Sequence, residues 1–275
     1  MTVRLSDGYG LHVVEVGEGE GVPLIVLHGG PGLDHTHLRP WLDPLGDERR
    51  VLYVDERGQG RSERVDPTTL SLEVFAHDVD LLAEALGLER FALLGHSFGA
   101  IIATWHAINL GTAAGYVISG GGDTSEKLMA DVEASLEAMG EAGKPIAESW
   151  EWEKSVETPE DCAELMRVQT PFHFHGPPPP DFAAETVYVA DVLRHFASAG
   201  YGDFDYTPDL GRVSKPTLVL VGAQDRTTTP RAARVLHEGI PASELVVLDG
   251  AGHMSMVEAQ DAYLAAAKRF LGALG

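Results

Sequence analysis

The stretch FALLGHSFGAII, residues 91–102, decides the fold class of this chain. Phe91–Leu94 is a continuous apolar run, which predicts a short strand buried on both faces. Gly95–Gly99 then has the form G-x-S-x-G, and Phe98–Leu110 has the apolar pattern of a buried helix. A serine between a strand and a helix is typical of a sharp turn that lifts its hydroxyl above a sheet. This context argues against the plain alternative, a glycine-rich turn with an incidental serine.

Short apolar runs alternate with helical patterns on both sides of this turn. Further strands are predicted at Leu11–Val16, Pro23–Leu27, Val51–Val54, Tyr116–Ser119, Thr217–Val221 and Glu244–Leu248. Further helices are predicted at Ser71–Leu86, which Gly87 would cap, and at Met256–Leu271. Strands that alternate with helices indicate the α/β class, with a mostly parallel central sheet and helices on both faces.

The long interval between the strands Tyr116–Ser119 and Thr217–Val221 departs from this alternation. Helical patterns without intervening strands occur there at Asp123–Gly140, Ile146–Val168 and Glu185–Ala199. We predict that residues 123–205 form a helical lid, inserted into a core domain made of residues 1–122 and 206–275.

A serine hydroxyl becomes an effective nucleophile only when a base removes its proton and a carboxylate orients that base. In folds with this turn, the order along the chain is Ser, then Asp or Glu, then His. Asp225 and His253 each lie just past the end of a predicted strand, where the active sites of open α/β sheets are found. We therefore predict a catalytic triad of Ser97, Asp225 and His253, with Asp249 as the reserve carboxylate.

The tetrahedral intermediate of such a reaction needs donors for its oxyanion. One donor is predicted to be the backbone amide of Phe98, the residue after the nucleophile. The second is assigned to the amide of Gly30, in the loop HGGPG at 28–32, where glycine lets the backbone approach a substrate closely. The alternative for Gly30 is a purely conformational role.

Together these motifs resemble those of the α/β-hydrolase superfamily, and within it those of the proline iminopeptidase group of serine peptidases. The wider resemblance spans the chain through HGGPG at 28–32, GHSFGA at 95–100, GAQD at 222–225 and GAGH at 250–253. The narrower one rests on HGGPG and on DERGQGRS at 55–62, which matches D-x-R-G-x-G-x-S; Asp55 and Arg57 are expected to be structural anchors there. The elbow departs from the group's usual G-G-S-W-G, and GHSFG is common in esterases.

The resemblance implies release of an amino-terminal proline whose free amine is bound by glutamates of the lid. Trp150-Glu151-Trp152-Glu153 is similar to the group's Trp-Glu pair, so Glu151 and Glu153 are candidate amine ligands. A further carboxylate is expected later in the lid, but the comparable stretch VQTPFHFH at 168–175 has none. Glu164 and Glu185 are the nearest substitutes. The alternative for each glutamate is a solvated helix face.

The composition of the chain argues against two classes of partner. With 42 acidic and 20 basic residues, the net charge is −22, which disfavours nucleic acid and anionic membranes. Residues 123–205 hold 18 of the acidic and five of the basic residues, so we expect a negative field over the site entrance that attracts an amine. A single cysteine, Cys162, and an amino terminus unlike a signal peptide predict a cytoplasmic protein.

No cofactor or metal is predicted. The pairs His35/His37 and His173/His175 lack the third ligand and the motif of a catalytic zinc site. Gly120–Gly122 follows a strand but lacks the spacing of a dinucleotide-binding loop.

The sequence therefore favours a serine hydrolase that releases amino-terminal proline from small peptides or amides, so its expected partner is a small substrate with a free amine. One alternative is a carboxylesterase or other small-acyl hydrolase that uses the same triad. Another is a non-catalytic ligand-binding member of the fold. Haloalkane dehalogenases and epoxide hydrolases need Asp at the elbow, and Ser97 excludes both.

Overall fold

The computed structural model describes all 275 residues and contains one seven-stranded sheet and nine α-helices. The strands are β1 Thr2–Arg4, β2 Gly10–Leu27, β3 Arg49–Asp55, β4 Ala92–His96, β5 Tyr116–Ser119, β6 Thr217–Gly222 and β7 Ser243–Leu248. The helices are α1 Leu72–Ala85, α2 Phe98–Asn109, α3 Ser125–Ala138, α4 Lys144–Glu153, α5 Pro159–His173, α6 Ala190–Ser198, α7 Pro230–Gly239, α8 Ser255–Glu258 and α9 Gln260–Gly272. None of these helices combines the length and the apolar character needed to cross a membrane.

The sheet is parallel from the second half of β2 through β4, β5, β6 and β7, as the alternating pattern predicts. The two predicted strands Leu11–Val16 and Pro23–Leu27 are one bent strand, β2, whose halves both pair with β3. The bend follows Gly17, where a Cβ atom would lie 2.3 Å from the carbonyl oxygen of Gly46. Only glycine allows this close approach, so the chain turns without leaving the sheet.

The core has two layers, one on each face of the sheet. Successive residues of a strand point to opposite faces, so Leu93 packs towards α1 and α2, while Leu94 packs towards α9. Both side chains are fully buried. Burial of a leucine side chain stabilises a fold by about 1.5–3 kcal/mol, so apolar runs such as β4 fix the middle of the sheet.

Four helices, α3 to α6, lie between β5 and β6, and we call this part of the chain the helical insertion. The helical pattern predicted at Ile146–Val168 forms two helices: α4 ends at Glu153 and α5 begins at Pro159. Proline has no N–H to continue a helix but fits its first turn, and Thr158 caps α5. The closing helix is likewise divided into α8 and α9 at Ala259, where the backbone leaves helical geometry.

An ion-pair network joins the helical insertion to the core. The guanidinium of Arg231, on α7, donates to both carboxylate oxygens of Asp123 at 2.7 and 2.9 Å. It also donates to Asp131 on α3 at 2.9 Å. Asp123 is fully buried, so its carboxylate depends on this cation to replace the water it has lost.

We expect Arg231→Ala to lower the free energy of unfolding by about 1–3 kcal/mol, because it leaves the buried carboxylate of Asp123 without a cation. Urea denaturation measures this change. Arg212→Ala is the control, since its pair with Asp209 is exposed and should be worth less than about 1 kcal/mol. Equal effects of the two substitutions would contradict the assignment.

Candidate active site

Ser97 lies at the turn between β4 and α2 with φ +56° and ψ −116°, a backbone conformation that residues other than glycine rarely adopt. The two glycines of the motif make this turn possible. A Cβ atom on Gly95 would lie 2.1 Å from the carbonyl oxygen of Gly99, and one on Gly99 would lie 2.5 Å from that of Leu27. Ser97 lines a large, mostly apolar cavity between the core and the helical insertion. Backbone strain of this kind is found at functional sites.

The structure brings Asp225 and His253 together at the same end of the sheet. Nδ1 of His253 is 2.9 Å from Oδ2 of Asp225. The other oxygen of Asp225 accepts the amides of Thr227 and Thr228 at 2.8 and 3.0 Å, and both Asp225 and His253 are buried. His253 lines the cavity that Ser97 lines, whereas Asp249 is exposed. Of the two carboxylates considered, Asp225 is therefore the one in contact with His253.

The two amides predicted to hold an oxyanion belong to residues that line the same cavity. Phe98 is the first residue of α2, so its N–H has no acceptor inside the helix. Gly30 has φ +134°, which favours glycine. Both residues therefore share a cavity with Ser97, and their role as donors remains a prediction.

Three further histidines lie near His253 and the loop at residues 28–32. The ring of His96 lies 4.8 Å from that of His253, and the ring of His173, from α5, lies 5.4 Å away on centroid distances. Nε2 of His37 accepts the amide of Gly29 at 3.3 Å. Burial lowers the pKa of His37 to about 3, so its ring is neutral near pH 7.

The glutamates predicted to bind an amine have different positions. Glu153 is 4% exposed and lines the cavity. The side chain of Glu151 is 76% exposed and pairs with Lys154, and Glu185 is also exposed. Neither lines the cavity, so the structure does not bring these two predicted residues to the site. Residues two apart on a helix lie on nearly opposite faces, so α4 can direct only one glutamate inwards.

Glu153 is held by two polar neighbours. Its carboxylate accepts hydrogen bonds from Nε2 of Gln169, at 2.7 Å, and from the hydroxyl of Tyr201. Burial raises the pKa of Glu153 to about 7. No cation of the chain pairs with it; the nearby Lys154 pairs with Glu151 instead.

Sequence reasoning missed Gln169 and Tyr201. Gln169 occupies the stretch 168–175, in which the family resemblance led us to expect a second carboxylate. A signal for it does exist: Cys162, Leu165 and Phe172 form one buried stripe of α5, and Gln169 is the polar member of that stripe. A polar residue on a buried helical stripe indicates a partner or a ligand. Tyr201 lies in an irregular turn and has no comparable signal.

The side chains of Asp55 and Arg57, in the DERGQGRS segment, make contacts within the core domain. Asp55 accepts hydrogen bonds from the ring of His35 at 2.6 Å and from a backbone amide. Arg57 pairs with Asp78 and lies over the ring of Tyr9. These contacts are what a structural anchor requires.

One group of potential metal ligands lies together, namely His12, His35 and Asp55. The sequence pairs did not indicate it, because its members come from β2, a short 3₁₀ turn and β3. Both oxygens of Asp55 already accept hydrogen bonds, so this group is explained by the anchor described above. Of the pairs considered from sequence, only His37 and His173 line the cavity.

A serine on a strained strand-to-helix turn, followed along the chain by an aspartate and a histidine on later strand ends, is typical of α/β hydrolases. The model of the alpha/beta hydrolase fold family matches residues 22–260. The chain belongs to this family.

Within the family, the chain resembles proline iminopeptidases. It is 28% identical over 269 residues to a proline iminopeptidase of Saccharolobus solfataricus, and the alignment covers 92% of this chain and 86% of that protein. A proline iminopeptidase-related protein from Thermus thermophilus is 31% identical, with a TM-score of 0.78 and coverage of 100% of this chain and 97% of that one. An esterase from Exiguobacterium antarcticum has the same fold, with a TM-score of 0.77, 20% identity and 99% of both chains covered.

We expect Ser97→Gly to be more stable than Ser97→Ala by about 1 kcal/mol, because glycine relieves the strain of φ +56° while alanine keeps it. Thermal and urea unfolding measure the difference. A serine of ordinary conformation shows the reverse order, because glycine costs more backbone entropy on folding. That reverse order at position 97 would contradict a strained turn.

Proposed function

We propose that this protein is a serine hydrolase that releases amino-terminal proline from small peptides or amides through an acyl-enzyme. The observation behind this proposal is the buried carboxylate of Glu153 in the cavity that Ser97 and His253 line. A hydrolase of neutral esters has no need for a buried carboxylate without a cation, whereas a substrate with a free amine supplies that cation. The sequence similarity to proline iminopeptidases supports the same conclusion.

In the proposed mechanism, Ser97 Oγ attacks the carbonyl carbon of the prolyl residue while His253 Nε2 accepts the hydroxyl proton. Asp225, bonded to Nδ1, fixes the tautomer of His253 and stabilises the imidazolium. The amides of Gly30 and Phe98 bind the oxyanion. His253 then donates its proton to the leaving amine as the carbon–nitrogen bond breaks. Water, activated by His253, releases proline from the acyl-enzyme.

The helical insertion supplies the proposed subsite for the prolyl residue. We propose that residues 123–205 act as a lid over the active site. Apolar side chains from its helices line the cavity: Leu128, Met129, Val132, Trp150 and Met166. They would surround the pyrrolidine ring, while Glu153 binds its amine. Most of the acidic excess of the chain lies in the insertion, which favours the approach of a cation.

A carboxylesterase is the second candidate. The mostly apolar lining of the cavity favours it, because short acyl chains need no polar anchor. A non-catalytic binding protein is a third reading, which covalent labelling of Ser97 by an active-site phosphonate would exclude.

The two catalytic candidates differ in their dependence on Glu153. We expect Glu153→Gln to lower kcat/KM for prolyl-arylamide by about 10- to 100-fold, since it removes a desolvated ion pair, and to leave p-nitrophenyl acetate hydrolysis within about two-fold. Glu151→Gln is the matched control, because it makes the same change on the exposed face of α4 and should alter neither activity. Hydrolysis of esters alone, with equal activity of both variants, would favour the esterase.

The raised pKa of Glu153 also predicts a pH-dependent cost in stability. The folded-state pKa of Glu153, about 7, is above the usual value for a glutamate, so the folded state holds the proton more tightly than the unfolded state. The contribution of the protonated Glu153 to the free energy of unfolding is therefore complete below about pH 4 and is lost as the pH rises through 7. We expect Glu153→Gln to be more stable than the wild type at pH 8, by on the order of 2–3 kcal/mol, and not at pH 4. Urea unfolding at the two pH values tests this, and a difference independent of pH would contradict it.

A further inference from the structure

A single carboxylate joins the helical insertion to the loop that bears His253. Glu258, the last residue of α8, accepts three backbone amides. Gly252, which directly precedes His253, donates at 2.7 Å. His175 and Gly176, just after α5, donate at 3.1 and 2.7 Å. We call residues 173–176 the α5 terminus.

The α5 terminus also contacts the residues beside both Asp225 and His253. The carbonyl oxygen of His173 accepts the amide of Met254 at 3.2 Å, so the loop is held on both sides of His253. The side chain of Arg226 donates to the carbonyl oxygen of Phe174 at 3.1 Å. Nδ1 of His173 lies 3.0 Å from Oγ1 of Thr227, whose own amide donates to Asp225.

No space separates the α5 terminus from the His253 loop. A Cβ atom on Gly252 would lie 2.8 Å from the amide nitrogen of His175 and 2.9 Å from the carbonyl oxygen of His173. The ring of His173 packs against that of His253. A displacement of one segment therefore displaces the other.

We propose that Glu258 is a positioning residue for His253, which it holds against the α5 terminus. The proposal rests on the proposed function, because it takes His253 as the general base. A carboxylate suits this position, since it only accepts hydrogen bonds and its two oxygens bind several N–H donors at once. A general base displaced by about 1 Å loses on the order of 100-fold in rate.

The arrangement connects the amine subsite to the base. Gln169, which binds Glu153, lies on α5 one turn before His173, so the helix that closes the amine subsite also ends on the loop of His253. Glu258 fixes that connection at its far end. Its loss therefore affects the chemical step more than substrate binding.

The test compares Glu258→Gln and Glu258→Ala with Glu63→Gln. Glu63 is a matched control, because its carboxylate also accepts a backbone amide, that of Gly10 at 3.0 Å, far from the cavity on the β1 side of the sheet. The measurements are the second-order rate of labelling by a fluorophosphonate, kcat and KM for prolyl-arylamide, and the unfolding midpoint of each variant.

For Glu258→Gln we expect labelling rate and kcat to fall by about 10- to 100-fold with KM within about three-fold, and for Glu258→Ala an equal or larger fall. Glu63→Gln should stay within two-fold throughout. A folded Glu258→Gln that labels within two-fold of the wild type overturns the proposal, and this variant decides the matter if Glu258→Ala does not fold. A wild type that does not label overturns the serine mechanism itself and the positioning role with it.

Discussion

The strained turn at Ser97 is the constraint on which the rest of the site depends. Its backbone conformation costs of the order of 1–3 kcal/mol for a residue with a side chain, so neighbouring contacts must hold it. The amide of Ser97 donates to the carbonyl of Ser119 at 2.9 Å, and that of Gly99 donates to the carbonyl of His28 at 2.9 Å. The turn is therefore tied to β5 on one side and to the loop at residues 28–32 on the other. These bonds fix the serine relative to both.

Parallel strand order converts this local turn into a site. β4, β5, β6 and β7 are neighbours, so their carboxyl ends open onto one edge of the sheet. Asp225 follows β6 and His253 follows β7, both far from Ser97 in sequence; His253 lines the same cavity as Ser97, and Asp225 is hydrogen-bonded to His253. Because β4, β5 and β6 are buried along their whole length, their register is fixed by the core rather than by the site.

Local patterns predicted the core of the fold and the three residues of the proposed triad, because strands, turns and their order are properties of short segments. The sequence predicts less well which side of a helix is buried, because that depends on tertiary packing. Glu151 and Glu153 are both glutamates that follow a tryptophan, so the sequence does not distinguish them. Only the packing of α4 leaves Glu151 exposed and buries Glu153. The predicted helix at Glu185–Ala199 begins only at Ala190, because the amide of Val187 donates to Asp34 and the amide of Val189 donates to the carbonyl of Gly32.

Glu153 is also the strongest physical argument about specificity. Burial raises the pKa of its carboxyl, and the hydrogen bonds from Tyr201 and Gln169 oppose this shift only in part. A sequence selected only for stability would place an apolar residue or glutamine there, as buried unpaired carboxylates destabilise a fold. A cationic ligand changes this balance, because its charge compensates the carboxylate in a cavity of low dielectric. Under the proposed function, the destabilisation in the free protein would be the counterpart of selectivity for substrates with an amine, which is the property that separates an aminopeptidase from an esterase.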